Sequence, residues 1–172
     1  MALRDKDSDA QERRLAAYAP RVYGLLVRMV GNRDTAEDLT QETLLRAFRA
    51  LETYRPEGKF RAWIFRIASN QARDWIRRQG REVHRDIEAD DPPVTTETAP
   101  DAGAIARERA RRVEQALARL ALPDREVLLL RYYGNLTFKN IALATREPLG
   151  TVLARAHRAL KKLGSLIPED IR

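Results

Sequence analysis

The sequence predicts an all-α protein of two small helical domains joined by a flexible acidic linker. Apolar residues recur at three- and four-residue spacing, and no stretch shows the period-two alternation of a half-buried strand. Charge divides the chain: residues 11–81 and 102–172 each carry net +7, while residues 82–101 carry net −6. That acidic strip includes Asp90-Asp91-Pro92-Pro93 and Thr95-Thr96-Glu97-Thr98, with only Val83, Ile87 and Val94 as larger apolar residues. Such a composition buries too little surface to offset its ordering entropy. A surface loop within one domain is the alternative, but loops of this length are unusual there. The predicted boundaries are therefore 11–81 for the first domain, 82–103 for the linker and 104–168 for the second domain.

In the first domain, a helix from about Leu15 to Val30 contains Pro20, so it either starts near that residue or kinks there. Gly31-Asn32-Arg33-Asp34 breaks it, and Asp34 with Glu37 three residues on has the pattern of a capping box. Leu39, Thr43, Ala47 and Leu51 then form one stripe, with Leu44 and Phe48 beside it, until Arg55-Pro56-Glu57-Gly58 ends the helix. A third helix spans about Lys59 to Gln79, with Phe60, Ile64, Ile67 and Ala68 on one side and Gly80 as its C′ residue. The second domain reads as four helices. Ala104 to Leu120 carries Val113, Leu117 and Leu120. Pro123-Asp124 opens the next, which runs to Tyr133 before Gly134-Asn135. Thr137 caps Phe138 to Thr145. Pro148 begins the last, which runs to Leu163 before Gly164 with Leu149, Val152, Ala156, Leu160 and Leu163 as its buried stripe. Two short helices, a tight turn and a longer basic helix outline a helix-turn-helix.

Composition narrows the chemistry. The 172 residues include no cysteine and two histidines, His84 and His157, which excludes disulfides, thiolate metal sites and a cysteine nucleophile. The net charge of +7 favours a polyanionic partner. Equally, a basic surface serves an ordinary soluble protein. The first ten residues carry five charges with no apolar region behind them, and runs such as Val127 to Leu130 are far too short to span a bilayer. A soluble, cytoplasmic protein without membrane contact is expected. No Gly-rich phosphate loop appears, and Ser8, Ser69 and Ser165 lack the surroundings of a nucleophile. Asp38, Gln41 and Glu42 share an exposed helix side without a third ligand, so a protein partner or plain solvation fits better than metal or acid/base chemistry. No catalytic residue, metal or cofactor is expected.

The third helix is the densest feature. Lys59 to Arg81 holds seven basic residues, one acid and both tryptophans, Trp63 and Trp75. Cations neutralise phosphates and aromatic faces stack unpaired bases, the combination that suits single-stranded or locally opened DNA. Tryptophan and phenylalanine at helical spacing also serve a core. Arg66, Asn70, Arg73 and Arg77 form a polar stripe that either faces nucleic acid or is simply solvated. On the last helix Thr151, Ala154, Arg155, His157, Arg158, Lys161 and Lys162 occupy the outer face, with early residues placed for base edges and later cations for phosphates.

Together these pieces resemble an extracytoplasmic-function sigma factor, the smallest group of the sigma-70 family. Ala36-Glu37-Asp38-Leu39-Thr40-Gln41-Glu42-Thr43-Leu44-Leu45-Arg46-Ala47-Phe48 resembles the part of region 2 that grips the beta-prime clamp helices of core RNA polymerase. Phe60-Arg61-Ala62-Trp63-Ile64-Phe65-Arg66-Ile67-Ala68-Ser69-Asn70, followed by Arg73-Asp74-Trp75-Ile76-Arg77-Arg78, is similar to the segment that melts promoters and reads the minus-ten element. Leu122-Pro123-Asp124-Arg125-Glu126-Val127, Arg131-Tyr132, Ile141-Ala142 and Pro148-Leu149-Gly150-Thr151-Val152 resemble region 4, which reads the minus-thirty-five element. The resemblance implies a non-enzymatic factor that binds core polymerase at the clamp helices and the beta flap, opens promoter DNA and is held by an anti-sigma factor. It gives core contacts to Asp38, Gln41, Glu42, Leu45 and Arg46. Minus-ten contacts fall to Arg61, Trp63, Arg66, Asn70, Arg73, Asp74, Arg77 and Arg78, with Asn70 holding a flipped base. Minus-thirty-five contacts fall to the seven outer-face residues of the last helix. Leu153, Ala154 and Asn140 depart from the family pattern, which commonly has a cation, a serine and a glutamate there. A helix-turn-helix regulator acting without polymerase, and an adaptor that has lost promoter specificity, are the alternatives.

Two promoter elements one and a half to two helical turns apart are separated by ~50–70 Å. Residues 82–103 reach at most roughly 70 Å when extended. The tether therefore has little slack. Deleting about ten of its residues is expected to abolish run-off transcription while circular dichroism shows both domains still folded; undiminished initiation would refute the spacing argument.

Overall fold

The computed structural model describes residues 13–51, 54, 59–82 and 103–167. Seven α-helices follow a short helical turn at residues 13–16, and no strand occurs among the described residues. They are α1 (Ala19–Val30), α2 (Arg33–Ala50), α3 (Phe60–Glu82), α4 (Ala104–Ala118), α5 (Leu122–Tyr132), α6 (Phe138–Thr145) and α7 (Leu149–Leu166). The two-domain, all-α organisation is the one the sequence predicts. Most of the acidic strip, with His84, lies outside the described residues.

Pro20 sits in the first turn of α1, where its missing N–H costs nothing, so the helix starts there instead of kinking. Gly31 closes α1 at φ 77°, a left-handed conformation that glycine adopts without a Cβ penalty. The cap of α2 corrects the sequence reading. Asn32, not Asp34, is the N-cap, its side chain accepting from the Thr35 N–H at 2.9 Å, while Asp34 lies inside the first turn. α3 continues past Gly80 and α7 continues through Gly164; neither glycine ends its helix. Thr137 caps α6 as expected, its side chain accepting from the Asn140 N–H.

The first half is the α1–α3 bundle. Val22, Leu25, Leu26 and Met29 meet Ala36, Leu39 and Ala47 of α2 and Phe60, Ile64, Phe65 and Ala68 of α3. A buried polar link joins α2 and α3: Gln71 Nε2 donates to Thr43 Oγ1 at 2.9 Å. In the second half Leu117, Val127 to Leu130, Leu136, Ile141, Val152, Ala156 and Ala159 are buried. Leu149 and Leu160 were expected in that stripe and are exposed instead; Ala159 takes the inner position because the helix phase turns the two leucines outward.

The halves are docked on each other: α6 lies on α3, and α4 and α5 lie on α1. The seam is unusually ionic. Arg28 Nε and Nη2 both donate to Glu114 Oε1, at 2.8 and 2.6 Å, with both side chains almost fully buried. Arg28 Nη1 donates to the Gly24 carbonyl, and its guanidinium lies 4.1 Å from the Tyr133 ring centroid. Gly24 makes room for that ring, since a Cβ there would lie 3.2 Å from Tyr133 Cδ1. Arg125 donates to the Met29 carbonyl at the negative end of α1. Glu126 is buried facing α3, with Arg73 Nε 3.6 Å away and no hydrogen bond to its Oε1. Burial pushes the Glu126 carboxyl above its usual range, and Arg73 opposes the shift.

Removing one partner of a buried ion pair strands the other, at a cost of about 3–5 kcal/mol. Glu114→Ala is accordingly expected to open the seam without melting the helices, read as a larger radius in small-angle scattering at unchanged helicity. Glu126 works the other way. A raised carboxyl pKa means the docked state binds the proton more tightly, so docking weakens as pH rises through the ordinary carboxylate range and beyond. Glu126→Gln should exceed the native chain in stability at pH 8, and the difference should shrink as pH falls in denaturant titrations.

Candidate polymerase and nucleic-acid interfaces

Three surfaces carry the residues singled out by sequence. The first is the outer side of α2. Asp38 and Gln41 are exposed there, Glu42 is half-buried, and Arg46 Nε pairs with Glu42 Oε1 at 2.6 Å, one turn away. Leu45 is 43 % exposed, as is Phe48. Together with Leu15, Ala16, Gln41 and Leu44 they line an open apolar groove of about 590 Å³. The sequence reading placed Leu44 and Phe48 beside the buried stripe; the structure turns Phe48 out to the groove instead. The available signal was the width of the apolar band, since Leu44, Leu45 and Phe48 exceed what one core face can absorb. An exposed apolar groove rimmed by charge suits a helical protein partner better than a small molecule.

The second surface is α3. Trp63 is half-buried with its ring centroid 4.5 Å from Tyr54 and 5.3 Å from Phe60. Arg66, Lys59, Ala62, Trp63 and Tyr54 form one wall of a cavity of about 250 Å³ whose other wall is Leu143 and Ala144 of α6. Arg61 Nη1 donates to the Asn135 carbonyl across the seam at 3.2 Å, and Arg73 faces Glu126. Asn70 is exposed, and its Oδ1 accepts from Arg73 Nη2 at 2.7 Å. Asp74 pairs with Arg77 at 3.0 Å and accepts from Arg78 Nε through its carbonyl, all three being exposed. Trp75 is half-buried against the core, away from an open stacking position. The eight sequence-predicted residues thus share one helix but not one environment. Arg61, Trp63, Arg66 and Arg73 touch the second half, whereas Asn70, Asp74, Arg77 and Arg78 are open to solvent.

The third surface is the outer face of α7, reached from α6 by a three-residue turn in which Arg146 adopts φ 58°. Val152, Ala156 and Ala159 anchor α7 on the core, and its packing partners are α4, α5 and α6, so the face opposite stays open. Thr151, Ala154, His157, Lys161 and Lys162 are exposed on it. Arg155 is largely buried and ion-paired to Glu147 of the turn. Arg158 is exposed and reaches Asp124 of α5 at 3.0 Å. No group of His, Cys, Asp or Glu side chains able to hold a metal occurs among the described residues, and no described helix is long and apolar enough to cross a membrane.

Both halves match known families. Residues 15–82 match the family model for Sigma-70 region 2, and residues 110–163 match that for Sigma-70, region 4. The chain is 36% identical over 166 residues to the RNA polymerase sigma factor CarQ of Myxococcus xanthus, covering 96% of this chain and 94% of that protein. It is 29% identical over 165 residues to the ECF RNA polymerase sigma factor SigW of Bacillus subtilis, covering 91% and 88%. Among solved structures, the fold is similar to the sigma factor RpoE of Bartonella quintana, crystallised with the anti-sigma factor NepR, at a TM-score of 0.79 and 24% identity over 94% of this chain and 98% of that one. A second neighbour, CnrH in complex with the cytosolic domain of CnrY, has a TM-score of 0.65 and 25% identity over 90% and 84%. With regions 2 and 4 matched in order on its two halves, the chain belongs to the sigma-70 family and is an RNA polymerase sigma factor of the extracytoplasmic-function type, which binds core RNA polymerase and directs promoter recognition, DNA melting and transcription initiation.

Proposed function

We propose a residue-level division of that work. The α2 groove, with Asp38, Gln41, Glu42, Leu45 and Arg46 around it, grips the beta-prime clamp helices, while the second half docks at the beta flap. α3 opens and reads the minus-ten element through Arg61, Trp63, Arg66, Asn70, Arg73, Asp74, Arg77 and Arg78. α7 reads the minus-thirty-five element, with Thr151, Ala154 and His157 near the bases and Arg158, Lys161 and Lys162 at the phosphates. Arg155 belongs to the same face but is committed to Glu147, which suits a role in holding the turn. Domain limits of 11–81 and 104–168, with a tether at 82–103, complete the organisation. The observation that carries this reading is the order of the two regional matches on the two halves.

The factor performs no catalysis of its own; binding energy drives opening. A base lifted from the stack costs a few kcal/mol, which capture in a protein pocket offsets. In the docked arrangement α6 covers part of α3, so the halves must separate before the minus-ten strand can reach Trp63 and Arg66. An anti-sigma factor that holds the docked form fits this geometry, and the structural neighbour RpoE was solved in complex with the anti-sigma factor NepR. The work takes place in the cytoplasm, where core polymerase is.

Asn70→Ala tests the assignment on the strand. Loss of one base-holding amide, at about 1.4 kcal/mol, should slow open-complex formation roughly tenfold in a permanganate or fluorescence assay. Core affinity should be unchanged, whereas Leu45→Asp should lose core affinity first. Equal loss of both properties in Asn70→Ala would sink the assignment.

A further inference from the structure

Apart from the Thr151 hydroxyl, the exposed side chains in the first two turns of α7 lack the donors and acceptors usually used to read base pairs. Thr151, Leu153 and Ala154 are its exposed side chains there, Leu153 being 44 % exposed, with Leu149 one turn before it at 37 %. Of the two arginines that follow, Arg155 is held by Glu147, while Arg158 stays exposed beside Asp124, two turns from the start of the helix. The surroundings are nonetheless those of a polyanion site. α7 contains no acidic residue, Lys161 and Lys162 are exposed on its later turns, and Lys139 and Arg146 are exposed on α6 and the turn.

We infer that Leu153, with Ala154 and the Thr151 methyl, reads the upstream promoter element through the 5-methyl group of thymine instead of through hydrogen bonds. This rests on α7 being the helix that enters the major groove. In that groove each base pair shows its own pattern, and thymine alone presents a methyl. A leucine offers no donor to guanine or adenine and no acceptor to cytosine, so its discrimination comes from burying apolar surface. Lysines on the same helix supply the phosphate anchorage that positions the leucine without specifying sequence. A hydrated leucine and a hydrated methyl both gain by contact, which gives an exposed leucine beside cations a reason to be there.

The test uses holoenzyme assembled from the full chain and core RNA polymerase. Initiation is first selected from a duplex pool randomised across the upstream element. Thymine should be enriched at one or two adjacent positions. Replacing each such thymine by deoxyuridine removes only the methyl and should lower initiation about fourfold, the worth of one buried carbon. Leu153→Ala should lose a similar factor on thymine templates and become indifferent to deoxyuridine, while Leu153→Arg should shift the selected base towards guanine. An upstream preference that survives the loss of every methyl overturns methyl reading and leaves α7 as the reader. No upstream preference at all, with minus-ten-dependent initiation intact, overturns both. Core binding weakened by Leu153→Ala at an unchanged thymine-to-deoxyuridine ratio would reassign the leucine to a protein partner.

Discussion

A guanidinium cannot shed its proton in a protein interior, so a buried arginine must be given an anion or be left at a steep loss. Arg28 lies on α1, within the first half, and its anion comes from Glu114, 86 residues along the chain. That requirement specifies how the halves meet, alongside a buried apolar core that includes residues of both. Around it the other cross-contacts are ordered: Tyr133 stacks on the same guanidinium, Arg125 reaches the end of α1, and α6 is laid along α3. Half the predicted minus-ten residues lie at the seam that this pairing crosses, against Asn135, Leu143, Ala144 and Glu126.

The helices were legible because helical burial leaves a period in the sequence. The stripe Leu39, Thr43, Ala47, Leu51 is buried throughout, and the Thr137 cap stands where its hydroxyl predicted it. Termini were less legible, for identifiable reasons. Asn32 and Asp34 are both competent N-caps, and a capping-box spacing does not say which of them carries the extended backbone. Gly80 and Gly164 resembled stops, yet a glycine inside a helix costs only about 1 kcal/mol, which flanking turns can absorb. The outward phase of Leu149 and Leu160 was missed because leucine reads as core by default, although Ala159 offers an equally good inner position. What the sequence could not disclose is the seam. A pairing between Arg28 and Glu114 leaves no local period, and each side chain taken alone resembles an ordinary solvated charge.

The three surfaces differ in how directly their chemistry was written in the chain. The cationic and aromatic density of α3 is compositional and visible at once, whereas the partition of its residues between seam and solvent is a tertiary fact. The groove on α2 required knowing how much of an over-wide apolar band the core consumes. On α7, residue identity gave the cations and the fold commits one of them: Glu147 holds Arg155, leaving leucine and alanine foremost near the start of the helix.

The ionic contacts of the seam also bear on what a separation of the halves would uncover. Arg28, Glu114, Arg125 and Glu126 become hydrated on separation, each regaining the solvation it had given up. The surface so uncovered would carry these charges among apolar side chains, because the buried core includes residues of both halves. In the opening proposed above, hydration of these four charges would offset part of the cost of uncovering that apolar surface.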